Sequence, residues 1–418
     1  MQILLRDAAV LPGNDDWSAA HGVDVLIADG RIAAIGAGLA AAEHAQIIAA
    51  SSLVLAPAFV NAHTHSPEML GRGVLPMAQQ AEWLNEAYAD GRDALSDADI
   101  ARAVRLCAAD SVRGGAVRVT DHFRQIPPRL HAVAVAARAW AASGVQARIA
   151  VLLRDRIAPG GGLVGVPNSS GLVATTKDIL ALAEELLEQK FPVPVGLGPS
   201  APQRVTDELL LGLTAMVRAR DSFLHMHLCE SAADAASCRA LYGVSAVAHL
   251  DRLGVLGPGV ELAHAVHVDD DDLALIAARG ARVVHNPVAN LRLGSGVAPV
   301  ARALAPGVDV ALGSDGAGSN DSQSLLEAAK FAMLAPRAAR PAAEWLSPQQ
   351  VLGVATGGAR LVPGTPADLI AFDADASAFV GAKDDWAARI VLAARETDIV
   401  HVLGRGQFLM RDRAVCLP

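Results

Sequence analysis

The stretch Pro57-Ala58-Phe59-Val60-Asn61-Ala62-His63-Thr64-His65 follows the apolar segment Leu53-Val54-Leu55 and ends in a His-x-His pair. On a β-strand, side chains at positions i and i+2 point to the same face, so the two imidazoles are expected side by side. Two neutral imidazoles held in this way form half of a site for zinc or a similar divalent metal. A His-x-His pair alone is equally compatible with two histidines satisfied in a core. The interpretation therefore depends on partners elsewhere in the chain.

Outward from this stretch, apolar strands alternate with helical segments from about residue 57 to residue 360. A helix is predicted over Asp269–Arg279, with acidic residues in its first turn and Gly280 at its end. Another is predicted around residues 179–186, where apolar residues follow a 3.6-residue period after Thr176 as the N-cap. About 300 residues of such β–α alternation predict a distorted (β/α)8 TIM barrel of the α/β class.

The two ends of the chain read as short strands. Residues 1–56 contain two apolar stretches around Asp29-Gly30, a strong signal for a two-residue hairpin. Residues 361–418 contain similar strands separated by glycine turns. We therefore predict a metal-dependent barrel over residues 57–360 and a small β-sandwich domain built jointly from residues 1–56 and 361–418.

Composition limits the possible partners and location. Apolar residues make up 52% of the 418 residues, enough for a sizeable buried core. The net charge of −9 and the lack of basic blocks argue against nucleic-acid or membrane-surface binding. We find neither an apolar run of about 18 residues nor a signal-peptide layout. The four cysteines form no C-x-x-C pair, which fits a reducing compartment, so a soluble cytoplasmic protein is predicted.

Four further segments place metal-type ligands at predicted strand ends, where barrel enzymes hold their chemistry. Each residue alone has a structural explanation: His225 and His267 read as core or supporting histidines, Asp315 as a turn residue and Glu230 as a helix cap. Several such strand ends in one chain are hard to attribute to packing. The segments are Phe223–Glu230, Leu262–Val268, Val284–Gly294 and Val310–Asn320.

Taken together, these motifs resemble the amidohydrolase superfamily, in the branch of heterocycle deaminases and chlorohydrolases. That branch includes S-adenosylhomocysteine, guanine and 8-oxoguanine deaminases and the triazine hydrolases. Two positions depart from the family pattern, where Ala58 replaces a glycine and Ala289 replaces a serine. The family patterns P-G-F-V-N-x-H-x-H, H-x-x-E, A-H-x-x-H, N-P-x-S-N and G-S/T-D-G-x-x-S-N correspond to Pro57–His65, His227–Glu230, Ala263–His267, Asn286–Asn290 and Gly313–Asn320.

The resemblance implies a metal-dependent hydrolase that releases ammonia from a small aminated N-heterocycle of purine, pterin, pyrimidine or triazine type. Attack by a metal-bound hydroxide is the implied chemistry, and three imidazoles plus one carboxylate leave an open position for that water. The implied metal ligands are His63, His65, His227 and Asp315, and the implied catalytic residues are Glu230, His264 and again Asp315.

The implied catalytic residues have distinct roles. Asp315 accepts the proton of the attacking water while it holds the metal. His264 orients the nucleophile and stabilises the developing oxyanion. Glu230 protonates a ring nitrogen, which makes the neighbouring carbon electrophilic.

Lysine scarcity bears on the number of metals. Binuclear members of the superfamily bridge two metals with a carboxylated lysine on the fourth barrel strand. The strand taken to match it, Arg148–Arg154, contains no lysine. The resemblance therefore implies one divalent metal, zinc or iron.

Two other chemistries remain open at the same site. Glu230 favours attack at a ring C=N but does not distinguish an amine from a halide leaving group, so a chlorohydrolase is an alternative. A hydrolase that opens a cyclic amide of imidazolone type is another. A metal-free scaffold descended from the superfamily predicts eroded ligands, whereas all four implied ligands are present.

The expected partners are a small heterocyclic substrate and water, in a homodimer or higher homo-oligomer. An arginine at the barrel mouth offers a planar donor fork that suits a carbonyl, carboxylate or enolate. We therefore hypothesise an oxo- or carboxy-bearing amino-heterocycle rather than a neutral nucleoside. The candidate substrate contacts are Arg124, Arg154, Gln203, His122 and Glu68.

Overall fold

Two sheets organise the computed structural model, which describes residues 2–87, 95–125, 127–156, 174–381 and 385–417. The first sheet consists of strands from both ends of the chain, and the second consists of eight strands from the middle. The terminal strands are β1 (Gln2–Val10), β2 (Ala20–Ala28), β3 (Arg31–Gly36), β4 (Gln46–Ala49), β5 (Leu53–Pro57), β14 (Leu369–Asp373), β15 (Ile399–Gly404), β16 (Gln407–Arg411) and β17 (Ala414–Val415).

The central strands are parallel, pair in sequence order and form the barrel, which confirms the predicted fold class. The sheet is nearly closed: its first and last strands lie side by side, and just beyond the last strand the Asp315 N–H donates to the carbonyl oxygen of His63 at 2.9 Å. The barrel strands are β6 (Phe59–Thr64), β7 (Ala116–Phe123), β8 (Gln146–Leu153), β9 (Val195–Pro199), β10 (Leu224–Leu228), β11 (Val260–His264), β12 (Arg282–His285) and β13 (Asp309–Leu312).

Helices and short 3₁₀ segments connect these strands, and their apolar faces pack on the outside of the barrel. The α-helices are α1 (Gln80–Ala87), α2 (Asp97–Arg113), α3 (Leu130–Ser143), α4 (Thr176–Glu188), α5 (Asp207–Ala219), α6 (Ala232–Tyr242), α7 (Ala246–Arg252), α8 (Asp270–Arg279), α9 (Pro287–Arg292), α10 (Val300–Leu304), α11 (Ala317–Asn320), α12 (Leu325–Ala339), α13 (Pro348–Thr356) and α14 (Trp386–Leu392). The 3₁₀ segments are Ser66–Gly71, Pro202–Arg204, Ala342–Glu344, Ser377–Phe379 and Glu396–Asp398.

The terminal strands form the expected small β-domain, as one continuous hydrogen-bonded sheet of nine strands. Strand β1 pairs with β4 through Ile3–Arg6 and with β5 through Ala9–Val10. Between these two stretches lies Asp7, in the left-handed region with φ of 64°. The strand therefore changes neighbours at an irregularity, which lets a single sheet wrap around a core of its own.

Local predictions can be compared with the structure at three places. Asp29 and Gly30 have φ of 50° and 75° and form the predicted tight hairpin between β2 and β3. Helix α8 starts after Asp269 as N-cap and ends at Gly280 in the left-handed conformation, as predicted. The N-cap of α4 is Thr175 rather than Thr176, because the Thr175 side chain accepts from the backbone N–H of Asp178.

Within the described ranges, no helix is both long and apolar enough to cross a membrane.

Candidate active site

The predicted metal ligands meet at the carboxyl end of the barrel. His63 and His65 come from the end of β6, His227 from β10, and Asp315 from the turn after β13. The Nε2 atoms of His65 and His227 are 3.2 Å apart, and Asp315 Oδ1 lies 3.4 Å from the Nε2 atoms of both His63 and His65. Tetrahedral zinc with bonds of about 2.0–2.1 Å needs ligand atoms about 3.3–3.4 Å apart. The spacing of these donor atoms fits one such ion.

Hydrogen bonds orient the rings of His65 and His227 so that the Nε2 lone pair of each points to the centre of the proposed metal site. The Nδ1 atom of His65 lies 2.7 Å from the backbone oxygen of His122, and that of His227 lies 2.7 Å from the backbone oxygen of Ser200. A carbonyl oxygen only accepts, so each Nδ1 carries the proton and each Nε2 presents its lone pair. His63 Nε2 is buried and has no hydrogen-bond partner among the described residues. A divalent cation would satisfy all three nitrogens.

Electrostatics favour the neutral imidazoles that a metal requires. Burial, reinforced by the neighbouring histidines, holds the pKa of His63 and of His227 well below the usual range. Burial raises the pKa of Asp315, but the surrounding imidazoles outweigh it and hold that pKa below its ordinary value. The cluster therefore combines neutral nitrogen donors with an ionised carboxylate.

Two additional histidines extend the cluster. One group of mutually close nitrogens contains His63, His65 and His122, and a second contains His63, His227 and His264, each within 4.8 Å. His122 Nε2 lies 3.3 Å from the backbone oxygen of Gly198, and its fully buried ring packs against the rings of His65 and His227. His264 Nε2 is 3.8 Å from Asp315 Oδ2, the oxygen that does not face His63 and His65. Three of the donor-atom distances in the predicted set with Asp315 are 3.2–3.4 Å, which is closer to the spacing of zinc ligands than the limit of 4.8 Å in these two groups. The set with Asp315 therefore stays the predicted one.

The predicted acid–base residues lie beside this cluster. Glu230 follows β10, and its Oε2 is 3.8 Å from the Nε2 of His264 at the end of β11. His264 Nδ1 lies 2.8 Å from Asn290 Oδ1, an acceptor, so Nδ1 donates and Nε2 faces the two carboxylates. Burial raises the pKa of Glu230, and the carboxylates of Glu230 and Asp315 outweigh burial to raise the pKa of His264. Both shifts favour the protonated form of the group.

A network of buried side-chain hydrogen bonds supports Glu230, and it was not predicted from the sequence. Gln80 on α1 donates from Nε2 to Glu230 Oε2 at 2.6 Å and to Asp234 Oδ2 at 3.0 Å. Asp234 Oδ1 in turn accepts from Gln203 and Arg204. Only the capping-box pattern of Ser231 and Asp234 at the start of α6 is visible in the sequence, and it predicts a helix start, not a partner for the acid.

The five candidate substrate contacts occupy different positions. Arg124 is buried just after β7, and Arg154 is half-buried just after β8. Glu68 is buried in the 3₁₀ segment that follows the two ligand histidines, with Oε2 3.4 Å from Ser319 Oγ. These three stay predicted contacts.

Gln203 and His122 have hydrogen-bond partners within the protein. Gln203 Nε2 donates to Asp234 at 2.6 Å, and its Oε1 accepts from the thiol of Cys238. The fully buried His122 ring packs against the rings of His65 and His227. Gln203 and His122 therefore stay predicted contacts as well.

The strand matched to the lysine-bearing strand of binuclear relatives needs a correction. Strand β8, which contains most of the matched segment, is the third barrel strand, and the fourth is β9 (Val195–Pro199). Neither strand contains a lysine, so the argument for a single metal holds with the correct strand.

Comparisons with known proteins identify the family of the chain. The sequence profile of the Amidohydrolase family matches residues 54–409. The chain is 32% identical to the 5-methylthioadenosine/S-adenosylhomocysteine deaminase of Syntrophobacter fumaroxidans, covering 98% of this chain and 93% of that protein. It is 31% identical to the 8-oxoguanine deaminase of Pseudomonas aeruginosa, covering 92% and 90%.

The fold is shared with solved structures as well. The atrazine chlorohydrolase of Arthrobacter aurescens, solved in complex with zinc, superposes with a TM-score of 0.89 at 24% identity, covering 100% of this chain and 97% of that one. The barrel, the terminal β-domain and the sequence profile all lead to the same assignment. The chain belongs to the amidohydrolase family.

Proposed function

We propose that the protein is a hydrolase with one divalent metal that deaminates a small aminated N-heterocycle and releases ammonia. Three imidazole nitrogens and one carboxylate lie at the spacing that metal ligands require, and Glu230 and His264 lie beside them. This arrangement is the main support for the proposal. The deaminase names of the relatives support the reaction class.

The proposed metal site consists of His63, His65, His227 and Asp315. A bound divalent ion lowers the pKa of a coordinated water so that it can act as a nucleophile near neutral pH. Asp315 has a second oxygen, Oδ2, on the side of His264. That oxygen is suited to take up the proton that the water gives off.

Glu230 and His264 act on the substrate in this mechanism. Glu230, whose pKa is raised by burial, is placed to give a proton to a ring nitrogen, and protonation makes the adjoining carbon electrophilic. His264 presents Nε2 between the two carboxylates, where it orients the nucleophile and stabilises the negative charge that develops on oxygen. The proton on Asp315 then passes to the leaving amine.

For the substrate, we propose a heterocycle that bears an oxo or carboxyl group. Arg124 and Arg154 follow adjacent barrel strands, and guanidinium groups pair well with such oxygens. Glu68 is the proposed partner for a donor on the substrate. We infer these roles from where the three side chains lie in the barrel and from the hydrogen bonds that their charged groups can form.

One alternative has specific support. The structural similarity to an atrazine chlorohydrolase extends over the whole chain, and Glu230 can assist departure of a halide as well as of an amine. A cyclic amide hydrolase at the same site is a further possibility under the same roles. Product analysis separates the three reactions, because only deamination releases ammonia and only dehalogenation releases chloride.

The deciding experiment is a substrate screen with the purified, metal-loaded protein. The panel contains amino-, oxo- and chloro-substituted purines, pterins, pyrimidines and triazines, together with adenosine-type nucleosides. Each compound is assayed for release of ammonia, release of chloride and ring opening. Ammonia release from an oxo- or carboxy-bearing ring is expected. Turnover of none of these rings, or full activity after exhaustive chelation, would contradict the proposed reaction.

Metal analysis and solution measurements complete the proposal. We propose zinc as the resident metal, with iron as the alternative that elemental analysis distinguishes. We also propose a homodimer or higher homo-oligomer in the cytoplasm. Light scattering measures the oligomeric state, and cell fractionation measures the location.

A further inference from the structure

We propose that Glu261 is a positioning residue for the metal site: through His225, it fixes the ring orientation and the tautomer of the ligand His63. The inference rests on the proposed metal site and deepens it. It concerns a buried Glu–His pair of which the sequence motifs include only His225.

The three residues form a continuous chain inside the barrel. His63 Nδ1 is 2.7 Å from His225 Nε2, and His225 Nδ1 is 2.9 Å from Glu261 Oε2. The exposed fraction is 0% for both histidines and 4% for Glu261, so water does not compete for these bonds. This series of hydrogen bonds ends at Nδ1 of His63. The other ring nitrogen of His63, Nε2, faces the other metal ligands.

Strand register explains why the pair exists. His225 on β10 and Glu261 on β11 are direct partners in the parallel ladder. Their side chains therefore point to the same side of the sheet, and both are buried in the barrel interior. His225 is also two residues before the ligand His227, so the same alternation directs both rings inward.

The direction of the hydrogen bonds follows from donor and acceptor chemistry. Burial raises the pKa of Glu261, but hydrogen bonds from His225 and Arg148 outweigh it and lower the pKa to about 2. An ionised carboxylate only accepts, so the Nδ1 of His225 carries the proton. A neutral imidazole has a single N–H, so His225 Nε2 accepts from the Nδ1 of His63. The lone pair of His63 is then on Nε2, as a metal ligand requires.

Glu261 also has a structural task, which the experiment must separate from this one. Its other oxygen, Oε1, accepts from Arg148 at 2.5 Å and from Arg282 at 3.4 Å. These ion pairs lie towards the amino-terminal end of the barrel and involve only Oε1. The bond to His225 uses Oε2 and leads to the metal ligands.

The test is the Glu261→Gln variant, assayed for zinc affinity by chelator competition and for the visible absorption of the cobalt(II)-substituted protein. The amide can still accept from Arg148, but its NH2 group faces a donor on His225 and disfavours the ligating tautomer of His63. We expect zinc affinity to fall by about 10–100-fold and the cobalt band to shift. Asp368→Asn is the matched control, because it removes another buried carboxylate partnered with arginine at the same end of the barrel.

A double-mutant cycle with His225→Leu separates positioning from structure. If Glu261 acts through His225, then Glu261→Gln changes zinc affinity little in the His225→Leu background. Wild-type zinc affinity in folded Glu261→Gln would overturn the inference. If that variant does not fold, His225→Leu alone decides, and unchanged zinc affinity there overturns it. Absence of bound metal in the wild-type protein would instead contradict the proposed function.

Discussion

The two ends of the barrel treat their buried polar groups in opposite ways. At the amino-terminal end, Asp368 accepts from both Nε and Nη2 of Arg118, from Gln146 and from the backbone N–H of Arg405. At the carboxyl end, His63 Nε2 and His264 Nε2 are buried and find no hydrogen-bond partner in the described part of the chain. Asp368 is saturated with internal partners, whereas the histidine cluster presents unused donor and acceptor atoms.

This difference separates stability from function. A buried polar group without a partner costs free energy, so a cluster of such groups persists where a ligand supplies the missing partners. A saturated ion-pair cluster has no such capacity and stabilises the fold instead. In barrels of this kind, chemistry is found at the carboxyl end, and the amino-terminal end contributes stability. Substitutions at the two ends are therefore expected to change different measured quantities.

The largest effect is expected from His227→Ala, which removes a ligand nitrogen from the carboxyl end. Three ligands of the proposed site then remain, and the protein is expected to lose stoichiometric metal and all measurable turnover. Elemental analysis and the ammonia assay measure both. His401→Ala is the control, because His401 is also a buried histidine but belongs to the terminal sheet. Stoichiometric metal in His227→Ala would remove this residue from the ligand set.

Glu230→Gln is expected to have the next largest effect, and only on the chemistry. An amide does not shuttle the proton that the ring requires, so kcat should fall by about 10²–10⁴-fold. Metal content should stay at the wild-type level, because Glu230 is not among the ligands. A kcat close to wild type would make Glu230 a structural residue and the ring-protonation mechanism wrong.

A smaller effect, on kcat/KM, is expected from Gln80→Leu. A hydrogen bond to a charged group contributes about 1.5–3 kcal/mol, so losing the bond to Glu230 should reduce kcat/KM by roughly 10–100-fold. Gln79→Leu is the matched control, because Gln79 is exposed next to Gln80. In the Glu230→Gln background, Gln80→Leu should change kcat/KM little if it acts through Glu230. Equal losses in both backgrounds would show that Gln80 acts by another route.

The sequence was sufficient for residues whose role is encoded locally. A His-x-His pair at a strand end already directs two rings to one face, so His63 and His65 could be predicted without knowledge of the fold. Glu230 and His264 also lie in short motifs at strand ends, but their roles were implied by the resemblance to the family. The structure brings all of them to the same end of the barrel.

Side chains that act only through distant partners could not be predicted. Gln80 meets Glu230 across 150 residues of sequence, and Glu261 meets His225 through strand register. The barrel position of β8 was wrong by one strand, because counting strands requires knowing which apolar runs enter the barrel. The run Leu53–Pro57 immediately before β6, for example, joins the terminal sheet instead.

The smallest effect on catalysis is expected at the amino-terminal end, from Asp368→Asn. This carboxylate is 5% exposed and accepts two hydrogen bonds from Arg118, one from Gln146 and one from the backbone of Arg405. Weakening a buried charged acceptor of this kind should lower the free energy of unfolding by about 1.5–3 kcal/mol. Denaturant titration measures that loss, while metal content and kcat are expected to match the wild type. A marked fall in kcat with unchanged stability would mean that the saturated end contributes to catalysis, and the division between the two ends would fail.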